Sequence, residues 1–398
     1  MALMGVLSSA PSFGQVAKAP GFKIGEGRLH PFFEVDARFD SVAVRFVPTV
    51  NSAEFILHFR PGLKFDLDSP ATLINFNGAV EYLWYTGLIS PGSNLLSRFQ
   101  TNVGLDTKFN RDGVAEVQLG DNLVRSDRTS NPAFVVGVIS LFNNAYLAVP
   151  IHPGGRALEV TPKVGWSVEF FETQAGLSGC AVGTACDPVA QANYSNVNFG
   201  INARWKFLPK TAVIVDVNAD WRTYFSHPGA QGLNPTLSDK VLFRAQAGLA
   251  GLISPRIAVT LLVGYGGDFT NGSIHTVIGT AEFSYTVTEQ SRIAIGYARN
   301  LIAVPLVGTA MDDRGYLKGG LGLLSGRLQL NAQVSADYFT FLGATAPAPT
   351  THDFLLSLSV GPTFTVTSWF DIGANYTLSL RTSNFVRHEA ILRLAFHY

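Results

Sequence analysis

The chain has 398 residues, of which 47% are hydrophobic and only 15% charged, well below the roughly 25% charged residues of a typical soluble domain. Its 29 basic and 29 acidic residues balance, so no excess of basic residues indicates nucleic-acid binding. No run of acidic residues predicts a disordered tail. Polar residues or glycine interrupt each hydrophobic stretch before it reaches the about 18 apolar residues of a spanning helix. Composition therefore excludes an ordinary soluble enzyme and a helical membrane protein.

The N-terminal segment, residues 1–15, resembles the end of a secretory signal peptide. The apolar residues Met1–Leu7 precede the mostly small residues Ser8–Gln15, but a basic start is missing. Two interpretations stay open: a truncated signal peptide, or a tail of the mature protein. Residues 16–27 would form a short periplasmic segment before the first strand.

From residue 28 to residue 398, apolar and polar or small residues alternate in stretches of about ten to fifteen residues, the period of a β-strand. The clearest example is Arg327–Phe339, in which Leu328, Leu330 and every second residue after them are apolar. Strands of soluble proteins average only about five or six residues. Strands twice as long, with one apolar face, predict an all-β, transmembrane, antiparallel up-and-down β-barrel with a polar lumen.

The connections between these strands alternate between tight and mostly longer ones, as expected for periplasmic turns and extracellular loops. The tight turns are Asp68–Pro70, Asn110–Gly113, His152–Gly155, Leu208–Lys210, Ser254–Pro255, Thr288–Gln290, Ser325–Gly326 and Thr367–Ser368. The longer loops are predicted around Ser41–Ala53, Gly87–Asn94, Thr173–Gln191, Ser226–Ser238, Asn300–Ala310 and Gly343–Thr351. Eight turns, with both termini on the same side, predict about 18 strands, an even number as in single-chain bacterial barrels.

Two features refine this prediction. The last strand, His388–Tyr398, alternates and ends on an aromatic residue, which resembles the C-terminal signal of bacterial outer-membrane barrels and predicts an integral protein of that membrane. Pro61 and Pro162 fall inside predicted strands, where each removes a ladder hydrogen bond. Bulges or strand ends are expected at both prolines.

The only two cysteines, Cys180 and Cys186, lie close together in a segment of small residues between two strands. No histidine cluster accompanies them, so a loop disulfide, which needs an oxidising compartment, is favoured over a metal site. No phosphate-binding glycine loop, nucleophile elbow or zinc-binding motif occurs, and the eight histidines are scattered. The sequence predicts no enzyme, no cofactor and no metal.

Charged residues of both signs are predicted to line the lumen. Each of them could instead simply pair with a neighbour across the barrel wall. Because the signs are interspersed, a neutral or weakly charged cargo fits better than the strong single-sign field of an ion-selective porin. The lumen-lining candidates are Glu34, Asp36, Arg38, Arg98, Lys108, Arg204, Asp216, Asp220, Arg222, Arg244, Arg292, Arg327, Asp337, Asp371, Arg381 and Arg393.

Four short segments resemble the OmpL-like β-barrel porins of the porin-2 type. The segments are Gly27–Asp40, Leu57–Asp66, Ser126–Pro132 and the turn Pro153–Gly155. Members of that family accompany exopolysaccharide secretion systems. The resemblance therefore implies passage of a polysaccharide with the help of a periplasmic polysaccharide export protein.

The sequence thus predicts a barrel in outer-membrane lipid that exports a polysaccharide by passive passage through a hydrated lumen. Nearly all residues belong to the barrel, so a separate periplasmic partner would have to escort the polymer. The alternative is a general or sugar-selective diffusion porin, for which a constricting inward loop with segregated acidic and basic residues, and usually a trimer, are expected. A third hypothesis is a structural or lipid-modifying barrel with a blocked lumen.

Overall fold

The computed structural model describes residues 21–47, 50–127, 138–155, 157–173, 192–225, 238–270, 274–304, 308–342, 352–382 and 385–398. The strands are β1 (Phe22–Ile24), β2 (Gly27–Val47), β3 (Val50–Asp68), β4 (Thr72–Tyr85), β5 (Arg98–Phe109), β6 (Val117–Ser126), β7 (Val138–Ala148), β8 (Leu158–Thr173), β9 (Tyr194–Leu208), β10 (Thr211–Tyr224), β11 (Lys240–Ser254), β12 (Ile257–Asp268), β13 (Ile274–Thr288), β14 (Ser291–Val304), β15 (Gly308–Leu323), β16 (Leu328–Leu342), β17 (His352–Thr367), β18 (Phe370–Arg381) and β19 (Phe385–His397).

Each strand from β2 to β19 pairs antiparallel with its neighbours in the chain, and β19 pairs with β2. The ring is therefore closed, and each of its 18 strands has a neighbour on both sides. Strand β1 forms a short hairpin with the start of β2, where the ring of Phe22 lies 4.6 Å from that of Tyr398. The predicted up-and-down barrel of 18 strands is confirmed.

The two faces of the wall differ in chemistry, because successive side chains of a strand point to opposite faces. Large apolar side chains such as Phe99, Trp221 and Val263 are exposed on one face. Asp36, Arg244 and Asp337 lie on the other face and are buried among neighbouring groups. An exposed apolar outer surface on a closed barrel matches lipid, and the chain is an integral outer-membrane barrel.

The eight predicted turns all fall between strands of the structure. In the turn after β7, Gly154 and Gly155 have positive φ angles of 67° and 86°, which glycine adopts without steric cost. Two predicted loops are wrong in extent. Most of Ser41–Ala53 and Asn300–Ala310 belongs to the long strands β2, β3, β14 and β15, because the residues at their loop ends still pair in ladders.

Pro61 and Pro162 lie inside β3 and β8, and the expected strand ends are wrong. The β3–β4 ladder omits the pairs at Arg60 and Pro61 but resumes in the same register at Gly62. The strand therefore continues past the missing ladder hydrogen bond without a bulge. Two short 3₁₀ turns lie in the connections between strands, Ser93–Leu96 between β4 and β5 and Leu324–Gly326 between β15 and β16. Within the described ranges, no helix has the length and apolarity to cross a membrane.

Some of the sequence predictions fall outside the described ranges. Residues 1–15 and the pair Cys180 and Cys186 lie there entirely, and so do residues 16–20 of the predicted periplasmic segment 16–27, whereas the rest of that segment contains the short strand β1. The signal peptide and the disulfide therefore stay predictions.

Candidate functional site: the narrowed lumen

The pairing register places all the predicted lumen residues except Arg327 on the face opposite the exposed apolar side chains. Arg327 lies in the turn before β16 and is exposed, because the Leu324–Gly326 turn delays the strand by one residue and Arg327 keeps a helical backbone. Its assignment to the lumen wall is corrected. The residues on the inner face are Glu34, Asp36, Arg38, Arg98, Lys108, Arg204, Asp216, Asp220, Arg222, Arg244, Arg292, Asp337, Asp371, Arg381 and Arg393.

Asp127, the residue after β6, connects three strands of the inner wall. Its Oδ2 lies 2.7 Å from Arg38 Nη2 on β2 and 3.8 Å from Arg98 Nη2 on β5. The hydroxyl of Tyr85, on β4, donates to the same oxygen at 3.4 Å. The side chains of Arg38 and Asp127 are only 1% and 7% exposed, so this ion pair is shielded from bulk water.

The Arg38–Asp127 pair shows that the chain turns into the lumen after β6. Neighbouring strands lie about 4.8 Å apart, so β2 and β6, with three strands between them, are about 19 Å apart along the wall. Two side chains that both stay on the wall cannot close that separation to 2.7 Å. Asp127 therefore lies inward of the wall, where it narrows the passage.

A second group of charges lies beside the first and is centred on Arg60. Its Nη1 lies 2.7 Å from Glu34 Oε2, and its Nη2 lies 3.0 Å from Glu81 Oε1 and 3.9 Å from Asp36 Oδ2. Asp36 is also 3.1 Å from Arg393. One guanidinium on β3 therefore neutralises acids contributed by two strands, β2 and β4.

Asp36, His58 and Glu81 place their ligand atoms within 4.8 Å of one another, which is close enough for a metal ion. His58 Nδ1 is hydrogen-bonded to Glu81. However, Arg60 contacts both carboxylates and so already supplies the positive charge that a metal would bring. This arrangement favours a paired charge cluster over a metal centre.

These two groups border a cavity of 130 Å³ lined by Arg38, His58, Glu81 and Gln100 among others. Three buried nitrogen atoms there, Arg38 Nε, His58 Nε2 and Gln100 Nε2, have no hydrogen-bond partner among the described residues. Arg Nε and the amide nitrogen can only donate. The residues that line the cavity therefore include N–H groups from which no described residue accepts.

Another inward-reaching element lies on the opposite part of the ring, at the loop ends of β14 and β15. Leu301 is fully buried against Leu242 and Ile278 on the inner wall. Arg222, on β10, donates to the carbonyl of Ala303 at 3.0 Å, and its guanidinium lies 4.0 Å from the centre of the Tyr194 ring. Apolar packing of Leu301 therefore dominates the contact between the loop ends of β14 and β15 and the inner wall.

The remaining lumen charges pair mostly with close neighbours in the wall. Asp220 is 2.5 Å from Arg244, Arg314 contacts Asp337, and Arg381 contacts Asp353. Further contacts are Arg292 with Ser284, Asp216 with Asn202 and Asp371 with His397, whereas Lys108 and Arg204 lie outside these clusters.

Sequence reasoning missed Arg60, Glu81 and Asp127 as members of the site. The alternation of β3 and β4 could have assigned Arg60 and Glu81 to the inner face, but the expected break at Pro61 obscured the register there. Asp127 follows its strand and lies outside any alternation, so no sequence signal placed it.

Known proteins match this chain only in their structures. No family model and no curated protein matches the sequence. The structure of OpdQ from Pseudomonas aeruginosa superimposes with a TM-score of 0.51 at 7% identity, over 94% of this chain and 98% of that one. OccK3 (OpdO) from the same organism gives 0.51 at 12% identity, over 93% and 95% of the two chains.

The fold is that of an outer-membrane porin. P. aeruginosa OpdK, with a TM-score of 0.51 at 9% identity over 93% of this chain and 98% of that chain, shares it as well. These likenesses concern the fold alone. They give no support to the resemblance to OmpL-like porins or to an association with exopolysaccharide secretion.

Proposed function

We propose that this porin-like barrel is a diffusion porin for small polar solutes, the alternative that the sequence left open. The observation that carries the proposal is the ion pair between Arg38 and Asp127, which holds Asp127 inside the lumen and away from the wall of its own strand, β6. A narrowed passage selects small solutes by size. It also matches the constricting inward segment expected of a diffusion porin, although acids and bases are interleaved here and not segregated.

The chemistry of the narrowed region favours solutes that carry hydrogen-bond acceptors. Arg38, Gln100 and Arg393, which carry N–H donors, line the 130 Å³ cavity together with His58. A carboxylate accepts from several such donors at once. P. aeruginosa OpdK, similar in fold with a TM-score of 0.50, has been solved with vanillate, a small aromatic carboxylate. We therefore include small carboxylates among the expected solutes.

Liposome swelling with purified protein tests this proposal. Vesicles that contain the barrel should swell in monosaccharides and small carboxylates and should not swell in long oligosaccharides, because the narrowed lumen excludes them. Protein-free vesicles serve as the control. No swelling in any solute would contradict the porin proposal and favour a barrel with a blocked lumen.

Polysaccharide export with a periplasmic export protein stays a prediction that the comparisons do not support. Surface polymer in a strain that lacks this chain, with and without complementation, distinguishes the two functions. Normal surface polymer with reduced uptake of small solutes is the result expected of a diffusion porin. Loss of surface polymer, restored by complementation, would overturn the proposal.

A further inference from the structure

Asp121 is a charged residue on the outer face of the barrel, where lipid is expected. The outward positions of β6 are 117, 119, 121, 123 and 125, so Asp121 is the middle one. Leu119 and Leu123 flank it on the same face. Among the described strands, no other acidic side chain occupies the middle of an outward face.

Asn143 lies beside Asp121 on the next strand and faces outward as well. Its Nδ2 donates to Asp121 Oδ1 at 2.9 Å, and it is the middle of the five outward positions of β7. Ala145 is the direct cross-strand partner of Asp121. The outer wall thus carries a hydrogen-bonded acid–amide pair at mid-height, next to a small side chain.

Lipid chains cannot satisfy this pair. The carboxylate has a second oxygen and the amide has a second N–H, and hydrocarbon offers neither donor nor acceptor. Charged substitutions on the lipid face cost most near the membrane midplane, and ionisable groups within the membrane usually mark a functional contact. By contrast, the outward residues Leu330, Ala332 and Val334 of β16 are apolar throughout.

We infer that the β6–β7 wall is the contact surface for a second copy of this chain. A two-fold axis parallel to the membrane normal places identical residues of two copies at the same depth. The free N–H of Asn143 in each copy can then donate to the free Asp121 oxygen of the other, which completes a ring of hydrogen bonds. Ala145 allows close approach, and the exposed Leu105, Leu119 and Leu147 supply an apolar border.

This self-complementarity selects a second copy over lipid or a different protein. The pair contains one donor and one acceptor that are both incompletely used, so it matches itself without a further charged group. The inference is independent of the proposed transport function, since it concerns the outer wall and no lumen residue.

Thiol cross-linking in intact outer membranes tests the inference. In a background with Cys180→Ser and Cys186→Ser, the variant Ala145→Cys should form dimers with a short bis-maleimide. The matched control is Ala336→Cys, which lies outward near the middle of β16. Ala145→Cys should give at least about tenfold more dimer than the control, the ratio expected when a membrane hydrogen bond is gained at the interface. Equal yields at both positions would overturn the inference.

Substitutions of Asp121 distinguish an interface between two copies from a structural role within one barrel. Asp121→Leu should lower the dimer yield of Ala145→Cys about tenfold, whereas Asp121→Asn should keep most of it. The monomer should keep its heat-modifiable mobility in both variants, because leucine suits lipid. If Asp121→Leu instead impairs barrel folding and Asp121→Asn leaves the dimer yield at the control level, the pair serves only to join β6 and β7, and the inference is wrong.

Discussion

The two inward-reaching elements of this barrel are held by different forces. Asp127, the residue after β6, is held at the β2–β5 wall by Arg38, Arg98 and Tyr85. The end of the β14–β15 hairpin packs Leu301 against Leu242 and Ile278 instead. One element is therefore positioned by charge and the other mainly by apolar packing.

This difference determines how each element would respond to substitution. Removal of one partner of a buried ion pair leaves the other partner as an unpaired buried charge. This charge destabilises the contact strongly. Truncation of a buried leucine leaves a cavity that the surroundings can partly fill. The charged contact should therefore be the more sensitive one, although both elements narrow the same lumen.

The largest effect is expected from Asp127→Ala. Its loss leaves Arg38 and Arg98 without their shared carboxylate, and removing one member of a buried pair costs about 3 to 5 kcal/mol. Residue 127 should then no longer be held inside the lumen, and the single-channel conductance in planar bilayers should rise. Asp353→Ala breaks a lumen pair between neighbouring strands and is the control. Equal conductance of both variants and the parent would show that Asp127 does not hold the constriction.

A smaller effect is expected from Leu301→Ala. Truncation of a fully buried leucine costs about 2 to 5 kcal/mol, and the main-chain contact of Arg222 with Ala303 remains to hold the hairpin. Conductance should rise less than with Asp127→Ala, with more current noise from a mobile hairpin. Leu358→Ala on the outer face of β17 should leave both unchanged. Quiet currents with parental conductance would mean that the packing of Leu301 does not restrain the hairpin.

The smallest effect is expected from Arg60→Gln, which alters selectivity and not pore size. Arg60 neutralises Glu34, Glu81 and Asp36, so its loss adds net negative charge to the narrowed region. The reversal potential in a salt gradient should shift toward cations. Lys64→Gln removes the same charge from β3, but Lys64 contacts the Phe32 ring and not these acids. An equal shift for Lys64→Gln would show that the cluster around Arg60 does not govern selectivity.

Alternation in the sequence was sufficient for the barrel, because the side-chain period of a strand assigns each residue to a face without knowledge of its partners. It predicted the turns and the strand number, and it predicted which residues face the lumen. It also contained the signal of the outer-wall pair, since Asp121 interrupts the apolar series Val117, Leu119 and Leu123. That interruption becomes meaningful only when the register places Asn143 beside it.

By itself, the sequence determined a closed transmembrane barrel with a polar lumen and an apolar outside, because strand length and period leave no other way to satisfy the backbone in lipid. Only the tertiary structure decided which charges meet. Asp127 pairs with Arg38 across several strands, and Leu301 turns inward onto Leu242. Such contacts depend on where the chain turns away from the wall, and the alternation of apolar and polar residues does not predict that position.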